Sequence, residues 1–192
     1  MLLAIDIGNT NITLGVFEKD NPRATWRMAT DVQRAADQYG AELLTLLHHR
    51  DINRTEITEI AICSVVPPLL GTFTDMCTRY FHIPPFVVGP GVKTGVRIRM
   101  DNPREVGTDR IVDAAAAHHL YGGPLIIVDF GTAITFDTVS KDGDYLGGAI
   151  APGLTIAAEA LFTRTAALPR IQLAAPKRAI GTNTVDAMQS GL

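Results

Sequence analysis

The chain has 192 residues, 46% apolar and 19% charged, a balance that favours one large or two small packed domains over a disordered chain. Its formal net charge is −3 and its Lys and Arg residues form no block, which argues against nucleic acid as a partner. No apolar stretch reaches the ~20 residues of a membrane helix, and the opening Met1 to Asp6 lacks the basic start of a signal peptide, so no membrane association is expected and the location is read as cytoplasmic.

The first element is a hairpin, Leu3-Ala4-Ile5-Asp6-Ile7-Gly8-Asn9-Thr10-Asn11-Ile12-Thr13-Leu14-Gly15: an apolar run ending in Asp, then Gly, a Thr-bearing turn and a second β-type run. Asp31 to Arg50 reads as a helix, with Tyr39, Leu43, Leu46 and Leu47 on one face. Glu59 to Val66 is β-rich and is closed by Pro67-Pro68. A second helix is expected over Leu69 to Tyr80, then a short buried strand Phe86-Val87-Val88. Gly89 to Asn102 is loop or edge strand, with alternation in Arg97-Ile98-Arg99-Met100. Thr108-Asp109 opens a helix through the run Ala114 to Ala117, and Gly122-Gly123-Pro124 breaks it, placing a first lobe at 1–121 and a second at 122–192. The second lobe opens on another hairpin, Ile126-Ile127-Val128-Asp129-Phe130-Gly131-Thr132-Ala133-Ile134-Thr135-Phe136-Asp137. One helix from Leu154 to Phe162, a loop and a final helix from Thr184 to Leu192 follow. The helix–strand unit that would match the first lobe is absent, so the second lobe is expected to be incomplete. Cys63 and Cys77 lack any C-x-x-C or His pattern and are read as core thiols in a reducing compartment.

The order of elements is α/β with an internal duplication. Each hairpin aspartate stands where a buried strand emerges, Gly permits close backbone approach, and the turn supplies amides and Thr hydroxyls, the donors a phosphate needs. A single Asp-x-Gly is ordinary turn chemistry; two copies, each opening a lobe, point to phosphotransfer. Asp101 to Arg110 is the densest polar cluster. Its Gly107-Thr108-Asp109-Arg110 turn offers amides, a carboxylate for a hydroxyl proton and a guanidinium for an anion. The plain alternative is a capped helix with Thr108 or Asp109 as N-cap. Leu146 to Gly153 places small residues where a backbone comes close to a nucleotide or to the opposite lobe, and Gly181-Thr182-Asn183-Thr184 precedes the last helix as a cap whose Thr hydroxyls are also within reach of a substrate. The adjacent pairs His48-His49 and His118-His119 point in different directions and suit packing, not metal ligation. There is no Gly-x-x-x-x-Gly-Lys and no Gly-x-Gly-x-x-Gly.

The paired hairpins resemble the phosphate motifs of the acetate and sugar kinase, Hsc70 and actin superfamily. Four motifs in order resemble type III pantothenate kinases: Asp6-Ile7-Gly8-Asn9-Thr10, then Asn102-Pro103 through Val106-Gly107 to Asp109-Arg110, then Asp129-Phe130-Gly131-Thr132-Ala133, then Gly147-Gly148 through Ile150 to Pro152-Gly153. The resemblance implies duplicated actin-like (ribonuclease H-like) lobes with the active-site cleft between them. It implies phosphorylation of the 4′-hydroxyl of pantothenate by ATP, the first step of coenzyme A synthesis, with Mg²⁺ and with K⁺ or NH₄⁺, by a homodimer. It assigns ATP phosphates to Asp6, Ile7, Gly8, Asn9, Thr10, Asn11, Ile12 and Thr13, with Asp6 near the Mg²⁺, and a further ATP contact to Thr132. It assigns pantothenate to Gly107, Thr108, Asp109, Arg110 and Thr184, with Asp109 as base and Arg110 on the substrate carboxylate, and the monovalent cation to Asp129. Met100 stands where several family members carry Tyr in the pantothenate pocket, and the family continues beyond Leu192 with a last strand and a glycine motif near the adenosine. The rival is a non-catalytic relative kept as a binding or regulatory protein.

Overall fold

The computed structural model describes residues 1–89 and 91–192; Pro90, inside the predicted loop or edge strand 89–102, lies outside the described residues. The chain divides into two compact units, Met1–Val96 with Asp101–Ala116, and Arg97–Met100 with Ala117–Leu192.

The first unit is built on a mixed sheet. Strands β1 (Leu2–Ile7), β2 (Asn11–Glu18) and β3 (Asn21–Ala29) form an antiparallel meander. Strand β4 (Glu59–Ser64) lies parallel to β1, and β5 (Phe86–Val87) parallel to β4, giving the order β3-β2-β1-β4-β5. Side chains alternate along each strand. Leu3, Ile5 and Ile7 therefore share one face with Ile12, Leu14, Val16, Ile60 and Ile62, all buried. Helices α1 (Ala36–His48) and α2 (Pro67–Phe81) close that core, with the Tyr39 and Phe73 rings 4.6 Å apart. The opposite face carries Asp6, Thr13 and Cys63 as one cross-strand row, since Thr13 and Cys63 are the two ladder partners of Asp6.

Two helix starts and one strand differ from expectation for local reasons. Helix α1 starts at Ala36 rather than Asp31, because the Asp31 carboxylate accepts from the Gln33 amide and its carbonyl accepts from the Tyr39 hydroxyl, which makes residues 31–35 a turn. Helix α2 starts at Pro67, because proline at the first helical position lacks only an amide that would have no partner there. Strand β3 was not expected from the sequence; it is an edge strand, where Pro22 is tolerated opposite Phe17 at a bulge.

Helix α3 (Thr108–Tyr121) begins in the first unit. In the second unit, β7 (Leu125–Phe130), β8 (Ala133–Val139) and β9 (Asp144–Pro152) repeat the meander of β1 to β3. The short β6 (Arg97–Ile98) runs parallel to β9, in the order β6-β9-β8-β7. Strand β9 takes up residues 146–152 of the small-residue stretch, so Gly147, Gly148, Ala149 and Ala151 lie in a ladder. Helices α4 (Leu154–Arg164) and α5 (Thr184–Gly191) follow. Ile126, Val128 and Phe130 occupy the places of Leu3, Ile5 and Ile7, yet are 67%, 42% and 71% exposed, against 0%, 2% and 0% in the first unit. Among the described residues no helix pair covers this face as α1 and α2 cover the first.

Candidate active site

The hairpin β1–β2 sets Asp6 at the end of a central strand, exposed, one residue before Ile7, which is buried. The turn is narrow: the Gly8 amide donates to the Asn11 carbonyl at 3.0 Å, and a Cβ on Gly8 would meet that same oxygen at 3.0 Å. Thr30, just past β3, buttresses the turn; its hydroxyl donates to the Gly8 carbonyl at 2.7 Å and its amide to the Thr10 carbonyl at 3.0 Å. Asn9, Thr10 and Asn11 stand exposed on the turn. Ile7 and Ile12 turn their side chains into the core, so this phosphate-type turn offers only their backbone.

The Gly107 to Arg110 turn is brought to the end of β4, the parallel neighbour of β1. The Gly107 carbonyl accepts the first helical bond of α3, from the Ile111 amide at 3.2 Å. The Thr108 hydroxyl is not a cap; it donates to the Ser64 carbonyl at 2.9 Å, pinning the start of α3 to the end of β4. The Asp109 carboxylate accepts from the Arg110 amide at 2.8 Å and lies over Gly107, where any Cβ would collide with it. A side chain at 107 would therefore displace the Asp109 carboxylate from its place, and Arg110 is half-buried.

Cys63 reports the electrostatics of this corner. Burial first, and then the charges of Asp6, Asp109 and Asp113, push its thiol up to about 11, against a lowering by a hydrogen bond from Thr108. Asp6 and Asp109, a hundred residues apart in sequence, therefore act on one buried sulfur within one compact unit. Asp113, one turn along α3 from Asp109, joins them and was not anticipated from the sequence; its i, i+4 spacing from Asp109 was the available signal.

In the second unit the hairpin β7–β8 is the twin of the first. Asp129 pairs with Thr135 across the ladder as Asp6 pairs with Thr13. Ile7 faces Ile12 across the first turn and Phe130 faces Ile134 across the second, so the second turn is one residue shorter. Asp129 and Thr132 are exposed. The Thr132 carbonyl accepts from the Gly153 amide at 3.1 Å, and a Cβ on Gly153 would strike the Gly131 and Thr132 carbonyls, which is why the residue preceding α4 is glycine. Thr184 is the exposed first residue of α5, whose cap is Asn183, accepting from the Asp186 amide at 2.9 Å. Met100 packs its sulfur against Gly147. Cys77, like Cys63, is buried and free. His118 approaches the Lys141 carbonyl at 3.4 Å, and among the described residues no group of three or more His, Cys, Asp or Glu is placed to hold a metal. No described helix is long and apolar enough to cross a membrane.

A sheet of order β3-β2-β1-β4-β5, with an aspartate at the end of its central strand and a tight turn beside it, followed by a second copy of the meander, defines an α/β fold of the actin-like class. Within that class the chain belongs to the type III pantothenate kinase family, whose model it matches over residues 2–192. It is 55% identical over 192 residues to the type III pantothenate kinase of Moorella thermoacetica, covering 100% of this chain and 76% of that one. It is 54% identical over 191 residues to that of Dehalococcoides mccartyi, covering 100% and 73%. The crystal structure of a Campylobacter jejuni protein assigned to a Baf family of transcriptional activators is similar in fold, with a TM-score of 0.56 at 21% identity over 99% of this chain and 73% of that one.

Proposed function

We propose that the chain transfers the terminal phosphoryl group of ATP to the 4′-hydroxyl of pantothenate, the first step of coenzyme A synthesis. The observation that carries this reading is that the Gly107 to Arg110 turn is pinned to Ser64 at the end of β4, next to the Asp6 end of β1. Phosphoryl transfer asks the protein for positioning and charge neutralisation more than for covalent chemistry. The β1–β2 turn, residues 6–13, supplies amides to the phosphates. Asp109 accepts the proton of the attacking hydroxyl, Arg110 pairs with the substrate carboxylate, and Gly107 and Thr108 shape the pocket around them. Thr132 is assigned to ATP and Thr184 to pantothenate by family resemblance.

Mg²⁺ keeps several waters and takes one or two carboxylates together with phosphate oxygens, so a single exposed Asp6 beside a phosphate turn fits Mg-ATP better than a dedicated cage would. Asp129 is assigned to K⁺ or NH₄⁺ by family resemblance, and the Thr135 hydroxyl that faces it across the ladder puts a second oxygen beside its carboxylate. A monovalent cation there would supply positive charge. A homodimer and a cytoplasmic location complete the reading; the apolar end of α3, where Leu120 and Tyr121 are 68% and 83% exposed, offers association surface.

The test is ADP release with and without pantothenate, in K⁺, NH₄⁺ and Na⁺. Turnover that requires pantothenate and is higher in K⁺ or NH₄⁺ is expected. Equal turnover without pantothenate overturns the substrate assignment, and equal rates in the three salts overturn the cation assignment.

A further inference from the structure

Asp137 is the one charged side chain that is buried among the described residues, at 0% exposure, and the chemistry above does not use it. A buried carboxylate is costly unless hydrogen bonds replace its water. Here the Tyr145 hydroxyl donates to Oδ1 at 2.6 Å and the Thr135 hydroxyl donates to Oδ2 at 3.0 Å. Gly148 lies directly opposite on β9, so no side chain crowds the carboxylate from that strand, and Ile127 faces it from β7.

Thr135 and Asp137 are two residues apart on β8, so both point to the same face, and Thr135 is the ladder partner of Asp129. Directly paired side chains on an antiparallel ladder stand about 5 Å apart at Cβ. The first hairpin has the same pair, Asp6 and Thr13, but the residue two beyond Thr13 is Gly15, which offers no acceptor. The buried carboxylate is therefore an addition made only in the second copy.

That addition has a chemical consequence. A hydroxyl whose proton is committed to a carboxylate can no longer donate elsewhere; it presents lone pairs, and the bond polarises them. Beside Asp129 this makes an acceptor-only oxygen next to a carboxylate, which attracts a cation and does not serve a phosphate oxygen. Thr13, with no carboxylate at that position, keeps its capacity to donate to a phosphate.

We propose that Thr135 is a ligand of the monovalent cation held at Asp129, and that Asp137 and Tyr145 are positioning residues that fix its hydroxyl. The proposal rests on the reading that Asp129 holds that cation, and the test separates the two. K⁺ binding is read from the rise in thermal midpoint of the full chain with added K⁺, against Na⁺ at equal ionic strength, and separately from the K⁺ dependence of pantothenate-driven ADP release. Thr135→Val keeps the shape and deletes the oxygen. It is expected to raise the half-saturating K⁺ about tenfold in both readouts, as one lost polar contact does, with KM for pantothenate unchanged. Thr135→Ser is expected to restore it, and Asp137→Asn to raise it as Thr135→Val does. If Asp129→Ala loses the K⁺ response while Thr135→Val keeps the wild-type half-saturation, the proposal fails and the cation reading stands. If Asp129→Ala keeps the response, the cation reading falls and the proposal falls with it. A Thr135→Val variant that melts earlier by the same amount in K⁺ and Na⁺, at unchanged half-saturation, has lost only a structural bond, which also overturns the proposal.

Discussion

Replacing Thr108 with Val removes the hydroxyl that ties the start of α3 to β4 and leaves the shape of the side chain. The bond lost is 2.9 Å long and runs to the half-buried Ser64 carbonyl. A neutral hydrogen bond contributes about 1 kcal/mol net, and stranding a buried acceptor raises the cost to about 1–3 kcal/mol. The melting temperature should fall by roughly 4 °C for each kcal/mol lost. The larger effect is on catalysis, because Asp109 and Arg110 ride on the first turn of α3. A displacement of about 1 Å in a positioned catalytic group costs on the order of 10²-fold. Steady-state kinetics should show kcat/KM for pantothenate down by roughly 10- to 100-fold. KM for ATP should change little, since the β1–β2 turn is braced separately by Thr30. Wild-type kcat/KM for pantothenate, with stability within about 0.5 kcal/mol, would refute the claim that this bond holds the site in place.

Asp109→Asn keeps the size of the side chain and removes the proton acceptor, so kcat should fall by roughly 10²–10⁴, and retention of most activity contradicts the base assignment. Arg110→Ala should raise KM for pantothenate more than KM for ATP; equal rises would speak against a carboxylate anchor. Asp144 is held below the usual carboxylate range by hydrogen bonds from Arg99 and Arg97, at 3.0 and 2.5 Å. A lowered folded value means its contribution is full above the ordinary carboxylate pKa of about 3.9 and is lost as pH falls through the lowered value. Thermal melts of wild type and Asp144→Asn should therefore differ near neutrality, begin to approach one another below about pH 4 and meet only below the lowered folded value; parallel curves at all pH values refute the clasp. Burial pushes the Cys63 and Cys77 thiols up to about 11 and about 12, so both should resist iodoacetamide in the folded chain and react quickly in denaturant. Rapid labelling of the native protein is the contrary result.

Both hairpins were legible because apolar runs ending in Asp-x-Gly announce a strand, its exit and its turn at once. The helix faces were legible for the same kind of reason: Tyr39, Leu43 and Leu47 are buried where their spacing puts them. What was illegible depends on tertiary context. Asn21 to Ala29 carries Pro22, Arg23 and Arg27, a poor strand by composition, yet it pairs along β2 as an edge strand with Ala24 and Met28 turned inward. Glycine depresses strand propensity, so 146–153 looked like a surface of close approach; Gly147 to Pro152 instead pair along β8, and Gly153 meets the 131–132 turn of its own unit. Pro67-Pro68 ends one element and opens the next, and the sequence shows only the first half of that. At the site, Asp6 and the Gly107 to Arg110 turn were readable as motifs, but their meeting around Cys63 needed the parallel β1–β4 pairing. Thr135 could have been found as the counterpart of Thr13 by aligning the two hairpins; Asp137 could not, because Gly15 takes its place in the first copy.

The central claim is that phosphate leaves ATP for one particular oxygen. Incubation with pantothenate, Mg²⁺, K⁺ and ATP carrying ¹⁸O in its terminal phosphoryl group, followed by phosphorus NMR and mass spectrometry, tests it directly. The expected product carries the labelled phosphoryl group on the 4′ oxygen of pantothenate, one for each ADP formed. Labelled inorganic phosphate beside unchanged pantothenate would contradict it.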